Sequence, residues 1–263
     1  MQNTSLPEGY KLAEKILRHV KNFSELEIAR KLLPPDFRLI VESDISKPFE
    51  VLPNVTLHRG MLNSEEQIKL AKHIVTGCVD YPHSNNLSDS TNESMWDDYQ
   101  AVCTNSIRDL HTCRLRRLRW SCKGFHYDWT NRSYCKDNQS DFPPDDPIQL
   151  LYKKISDKVA ESVIANFYHS HRPGDRLGGH RDDCEPSLSP LLLVSLGIPA
   201  VLLLGDDCGV LLRSGDAIVM KDQGRLTIHG VPCVFTGSTS DPDGSVEDFL
   251  ERTRISLSVR CVW

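Results

Sequence analysis

The chain has 263 residues, 39% of them hydrophobic and 25% charged, with a net charge of -5. It is long enough to bury a sizeable core in one large domain, and its composition is that of an ordinary soluble protein. The acidic balance gives no global sign of nucleic-acid binding, which leaves any such role to a local patch.

From the N-terminus, "MQNTSLPEGYKLAEKILRHV" lacks the apolar centre of a secretion signal. Residues 8–34 predict a helix, with Leu12, Ile16, Val20, Leu26 and Leu32 on roughly helical spacing and Pro34-Pro35 as the stop. "FEVLPNVTLHRGML" (49–62) predicts a strand and turn. "NSEEQIKLAKHIV" opens a helix, with Asn63 as cap and Glu66 three residues on. Residues 79–107 contain no Lys or Arg and are rich in Asp, Asn and Ser, which predicts a solvated loop or insertion.

The charge then reverses. Residues 111–136 hold seven Lys/Arg against one acidic residue, interleaved with Trp120, Phe125, Tyr127, Trp129 and Tyr134. "FPPDDP" is a loop, with Asp145 or Asp146 capping a helix over roughly 147–163. From residue 164 short apolar runs alternate with Gly, Pro and Asp turns, the rhythm of a β-sandwich or barrel. "PLLLVSLGIPAVLLLG" (190–205) is too short to span a bilayer and is broken by Gly197 and Pro199; it predicts two buried strands joined by a turn. Nine Cys, an odd number without a Cys-x-x-Cys pair, argue against a zinc ribbon or a closed disulfide framework. Reduced thiols and an intracellular location follow as the expectation, with nucleus, cytoplasm and mitochondrion all open.

Chemistry concentrates in "GGHRDD" (178–183). His180 and Asp182, at i and i+2, project from one strand face, and His229 follows in "GRLTIHGVP". Two His and one carboxylate on a strand scaffold suggest a facial triad that leaves open positions on Fe(II); a satisfied histidine pair is the plainer reading of these three residues alone. The strand "RISLSVR" (254–260) alternates strictly, with Arg254, Ser256, Ser258 and Arg260 on one face. Two inward Arg are costly unless anions meet them. Strand geometry sets them about 20 Å apart along the backbone, and arms leaning inward leave a gap for a short dicarboxylate held at both ends. An iron site beside such a pocket points to 2-oxoglutarate. An outward polar edge strand is the alternative, and Arg252 shares the face as a competing candidate.

The ordered set "NFY…RPGDRLGGHRDD…LLRSGDAIVM…GRLTIHG…RISLSVR" resembles the AlkB family of Fe(II)/2-oxoglutarate dioxygenases, tightly over 164–263. "LRWSCKGFHYDW" (118–129) and Met220 look most like its eukaryotic homologue-one subgroup. The resemblance implies a β-rich α+β fold, a double-stranded β-helix or jelly-roll core with N-terminal helices packed outside. It divides the chain into an N-terminal helical extension (1–48) and an oxygenase domain (49–263) with a substrate-recognition segment at about 111–145. It implies His180, Asp182 and His229 as catalytic iron ligands. It implies Arg254 on the distal carboxylate of 2-oxoglutarate, Asn166 and Tyr168 beside it, Ser256 where the family usually has Asn, and Arg260 near the keto-acid end. Fe(II), 2-oxoglutarate and O2 are the implied cofactors. The implied reaction hydroxylates a substrate methyl and releases succinate and CO2; an N-methyl then leaves as formaldehyde. Cys184 stands where the bacterial founder has an Asp that helps read the base, and three extra residues separate "NFY" from the His-x-Asp.

Arg116, Arg117 and Arg119 are expected at substrate phosphates, with Trp120, Tyr127 and Trp129 as stacking surfaces. Lys123, Arg132 and Lys136 add charge, although a solvated arginine face is the plainer reading. The expected partner is nucleic acid, as tRNA and/or single-stranded or unpaired DNA, with no membrane partner and the oligomeric state open. Rival functions are an oxygenase acting on protein such as histone, a non-catalytic binding module, and a zinc hydrolase, which would leave Arg254 and Arg260 unexplained.

Overall fold

Runs such as "AVLLL" and "CGVLL" are apolar at every position and buried at every position. A strand buried on both faces requires a layer on each side of its sheet, and the chain supplies them. The computed structural model describes residues 6–42, 47–88, 91–104, 112–170, 172 and 174–263. Its helices are α1 (Glu8–Leu17), α2 (Phe23–Arg30), α3 (Ser64–Gly77), α4 (Met95–Thr104), α5 (Arg114–Arg117), α6 (Pro147–Tyr152) and α7 (Val246–Arg252). The first strands are β1 (Arg38–Ile40), β2 (Phe49–Leu52), β3 (Val55–His58), β4 (Ser84–Asn85), β5 (Trp120–Asp128) and β6 (Ser133–Gln139). The remainder are β7 (Ser162–His169), β8 (Leu177–His180), β9 (Leu191–Gly197), β10 (Ala200–Leu204), β11 (Cys208–Leu212), β12 (Ala217–Met220), β13 (His229–Val234) and β14 (Thr253–Arg260).

The strands form two sheets. The smaller runs β1-β11-β10-β13-β8; the larger runs β2-β3-β12-β9-β14-β7-β5-β4, with β6 paired to β5. A core that includes Leu57, Leu191, Leu202, Leu204, Ile218 and Met220 fills the space between them. This is the jelly-roll arrangement of a double-stranded β-helix. The outer face of the smaller sheet packs on α1 and α2 through Tyr10, Leu17, Leu26, Val201 and Leu203. The outer face of the larger sheet packs on α3, α4, α6 and α7 through Ile74, Trp96, Tyr99, Tyr152 and Phe249. Helices therefore cover both sheets, not the N-terminal side alone. Among the described residues no helix is long and apolar enough to cross a membrane.

Three expectations are corrected. The helix over 8–34 is two helices, because Asn22 caps α2 by accepting from Glu25 N at 2.9 Å while Glu25 returns to Lys21 N at 2.8 Å. This local capping starts a second helix instead of extending the first. The acidic stretch 79–107 is not only solvated loop. It contains α4, whose Met95, Trp96, Tyr99 and Val102 are buried; residues 89–90 and 105–107 lie outside the described residues. The helix over 147–163 stops at Tyr152, where the Gln149 side chain pairs with both N and O of Ala160 and turns the chain toward β7. Asp146, not Asp145, is its cap. The Asn63–Glu66 capping box forms as expected.

Candidate active site

His180 ends β8 and His229 opens β13, and the two are directly paired in the antiparallel register. Their rings lie 4.4 Å apart between centroids. Asp182, just past the end of β8, sits 3.9 Å from the Nε2 of each. One ligand atom from each of the three residues falls within 4.8 Å of the others. The other ring nitrogens define the tautomers: His180 Nδ1 meets Gly178 O and His229 Nδ1 meets Thr227 O, each at 3.0 Å. A carbonyl only accepts, so each Nδ1 carries the proton and each Nε2 presents a bare lone pair. Burial pulls the His229 imidazole down to about 4, which keeps it neutral as a metal ligand must be. Burial alone would raise the Asp182 carboxyl, but the Arg260 guanidinium beside it holds it well below the usual carboxylate range. Two neutral imidazoles and one carboxylate on one side of a cavity fit a divalent iron with open positions.

The N-terminal helix supports this pair from behind. Gly179 and Gly230 adjoin the two histidines, and Tyr10 of α1 fills the notch they leave. A Cβ at Gly230 would lie 2.4 Å from the Tyr10 hydroxyl, and one at Gly179 would lie 2.7 Å from its ring.

β14 lies between β7 and β9 in the middle of the larger sheet, so the edge-strand alternative is ruled out. Arg254 is 1% exposed, and its Nε and Nη1 have no hydrogen-bond partner. Its guanidinium carbon lies 5.3 Å from the ring of Tyr168, its cross-strand neighbour. A buried cation without an anion is costly; a ligand carboxylate is what this one lacks. Asn166, opposite Ser256 in the register, lines a cavity of about 300 Å³ with Tyr168, Ser256, Ser258 and the His-Asp-His set, and Arg254 lies behind that wall against the Tyr168 ring.

Arg260 differs. It binds Asp182 Oδ2 at 3.1 Å and Glu185 Oε1 at 2.5 Å, and it also donates to Ser258 Oγ. Glu185 in turn binds Arg225 at 3.0 Å, and both side chains are fully buried. The expected two-ended clamp on a dicarboxylate is thereby revised: one arginine is vacant and the other is committed to an iron ligand. Glu185 and Arg225 escaped the sequence reading: Arg225 stood in the quoted "GRLTIHG" without a role, and Glu185 sits in a polar run that gave no signal. Arg252 is removed as a competitor, because it lies on α7 and pairs with Asp248 at 2.7 Å.

At the mouth, Tyr127, Trp129, Arg132 and Cys184 line the cavity. Trp129 packs on Tyr127 at 4.8 Å and on Trp120 at 5.1 Å. Arg117 and Arg119 are exposed, and Arg119 is held by Asp175 at 2.8 Å. Arg116 is corrected: it is 3% exposed and turned inward with Leu115 and Leu118, so it cannot meet a phosphate. Lys123 is corrected for the same reason, being buried against Asp146 at 2.6 Å. Residue 111, the start of the basic run, lies outside the described residues.

Residues 56–260 match the 2OG-Fe(II) oxygenase superfamily. The chain belongs to that superfamily. Its members use Fe(II), 2-oxoglutarate and O2, and the triad and the vacant Arg254 suit those groups. The chain is 30% identical over 246 residues to the tRNA demethylase abh1 of Schizosaccharomyces pombe, covering 81% of this chain and 80% of that protein. It is 33% identical over 175 residues to the DNA N(6)-methyladenine demethylase ALKBH1A of Arabidopsis thaliana, covering 57% of this chain and 50% of that protein. A solved structure of OsALKBH1 shares the fold, with a TM-score of 0.52, 21% identity, and coverage of 81% of this chain and 99% of that one. The oxygenase is thus AlkB-like, as the sequence pattern implied.

Proposed function

We propose that this oxygenase removes methyl groups from bases in nucleic acid, tRNA or unpaired DNA. The observation that carries the reading is the aromatic cluster at the mouth of the His180–Asp182–His229 cavity, where Tyr127 and Trp129 line the opening edge to face and Trp120 packs behind Trp129. Aromatic faces of this kind hold an unstacked base, and a base must leave its stack for its methyl to reach a buried metal. A tRNA demethylase and a DNA demethylase among its relatives support the same class.

His180, Asp182 and His229 would hold Fe(II), which when bound supplies the oxidising chemistry as 2-oxoglutarate and O2 are consumed. Arg254 would grip the distal carboxylate of 2-oxoglutarate, with the Tyr168 ring packed beside that contact. Arg260 keeps Asp182 ionised and aimed. Ile164, Leu193 and Leu202 form an apolar wall that excludes water from the cavity. Hydroxylation of an N-methyl leaves an unstable hydroxymethyl, which departs as formaldehyde and returns the free base.

The test supplies Fe(II), 2-oxoglutarate and ascorbate with RNA and DNA oligonucleotides carrying N6-methyladenine, and separately with bulk tRNA. Formaldehyde that depends on the oligonucleotide and vanishes in His180→Ala is the expected result. Succinate without formaldehyde from any nucleic acid, accompanied by turnover of a methyl-lysine peptide, would move the enzyme to protein substrates.

A further inference from the structure

Most buried or half-buried cations in the molecule are paired. Arg59 meets Asp216, Lys123 meets Asp146 and Arg225 meets Glu185. Four cations along one edge stand outside these pairs, Arg18 and Arg172 half-buried and Lys21 and Arg117 exposed. Among the described residues, Arg18, Lys21, Arg117 and Arg172 have no carboxylate partner. They are neighbours in space although they come from three parts of the chain. Arg18, Lys21 and Arg172 line a cavity of about 230 Å³ between the end of α1 and the β7–β8 connection. Arg172 in turn lies within electrostatic reach of Arg117 and Arg119.

The nearest acid is already committed. Asp175 accepts from His169 N at 3.1 Å and from Arg119 at 2.8 Å, so one carboxylate is shared between Arg119, which it binds directly, and Arg172, which it only faces at longer range. Arg18 Nε is buried and lacks any hydrogen-bond partner. Gathered like charges repel one another and attract a polyanion. The row also has a defined origin. Trp129 lines the catalytic cavity and packs on Trp120, and Trp120 directly follows Arg119 in the chain. Stacking surface gives way to cations in the order that a strand with one base drawn into the cavity would need.

We propose that Arg117, Arg172, Arg18 and Lys21 form a phosphate track that carries the nucleic-acid backbone from the catalytic mouth to the N-terminal helices. The track rests on the nucleic-acid reading above and deepens it. It assigns a recognition role to a helix end well outside the basic run at 111–136. It also replaces the inward Arg116 with partners drawn from other elements.

The test compares wild type with Lys21→Glu, Arg172→Glu and the double variant, and uses Lys69→Glu on the far helix α3 as a charge control. The probe is a single-stranded oligonucleotide of about 20 nucleotides carrying one N6-methyladenine; each lost phosphate contact should lower the salt slope of log K by about one. The double variant is expected to bind at least about tenfold more weakly near 0.1 M salt, with a slope reduced by about two. KM should rise while kcat at saturation stays the same. A trinucleotide carrying the same base, too short to reach the track, should be turned over at the wild-type rate. Lys21 is exposed, so its variant keeps the test decisive if Arg172→Glu fails to fold. An unchanged affinity and salt slope in folded variants, beside a wild type that binds and demethylates the oligonucleotide, would overturn the track and leave the substrate reading intact. An equal loss on the trinucleotide would also overturn it, because the residues would then act at the cavity. A wild type that binds no oligonucleotide but binds polyglutamate would assign the patch to an acidic protein and remove both readings.

Discussion

The two ends of β14 carry the same residue in opposite circumstances. Arg254 and Arg260 are 1% and 3% exposed and lie on one strand face about 20 Å apart along the backbone. Arg254 faces an aromatic ring and keeps two unpaired nitrogens, whereas Arg260 is engaged by Asp182, Glu185 and Ser258. A buried guanidinium destabilises the fold unless something cancels its charge. At the Arg260 end the protein cancels it internally, through two carboxylates that also involve Arg225. At the Arg254 end it does not, and the cost is left for a ligand carboxylate to relieve. Burial alone therefore does not tell a structural arginine from a binding one; the census of partners does.

That contrast can be broken from either side. The largest effect is expected at the iron end. Asp182→Ala removes a ligand and one of the two carboxylates on Arg260, so Fe(II) or Co(II) affinity should fall by more than the ~10–100-fold typical of losing an outer partner. Competition with a chromophoric chelator measures it. Arg260→Leu leaves the buried Asp182 without its arginine and Glu185 with Arg225 alone, and should cost about 3–5 kcal/mol of stability. In a thermal melt this would lower Tm by roughly 10 °C for a chain of this size. Arg254→Gln should do the reverse to the fold: Tm unchanged or raised, because a lone buried charge is gone. Its loss should appear instead as a KM for 2-oxoglutarate raised about 10- to 100-fold, the worth of a charge-assisted contact. If Arg254→Gln unfolds the protein as Arg260→Leu does, the distinction between the two ends collapses.

A smaller effect sets the acid baseline for these melts. Burial, reinforced by Lys123 and His126, pulls His83 down to about 4 from its ordinary value of 6.5. The unfolded chain therefore takes up this proton first. The stability His83 contributes is fully present above pH 6.5 and is lost as pH falls from 6.5 toward 4. The slope is at most about 1.4 kcal/mol per pH unit, less what its partly open position screens. His83→Asn should flatten that part of the curve in the apo protein and leave the metal affinity unchanged.

What the sequence made legible was whatever repeats with a backbone period or sits at fixed short spacing. The two-residue spacing singled out His180 and Asp182, although β8 ends at His180 and Asp182 follows it outside the strand; the Arg254–Arg260 face follows from strict alternation. Asn63 and Glu66 announced their helix. Composition misled where averages hid a pattern. Met95, Trp96, Tyr99 and Val102 form a helical stripe inside a stretch that reads as polar. Asn22 and Glu25 carried the signal of a helix start, but continuous apolar spacing drew attention from it. Arg116 shows a different limit: one turn of helix puts it inside and its neighbour Arg117 outside, which charge counting cannot separate. Glu185 was illegible in principle. Its role is to meet Arg225 and Arg260, 40 and 75 residues away, and only the closed sheet brings them together.

The central place of β14 has a consequence for how the molecule is made. Its partners β7 and β9 are both synthesised earlier, yet neither can complete the larger sheet until residues 253–260 have emerged. Until then the cavity has no Arg254 for the co-substrate and no Arg260 to hold Asp182. Contacts between segments so distant in sequence form slowly, because loop closure precedes any gain from packing. Oxidising chemistry is therefore deferred to the end of folding: a stalled or nascent chain can present two histidines, but it lacks the strand that would secure either carboxylate.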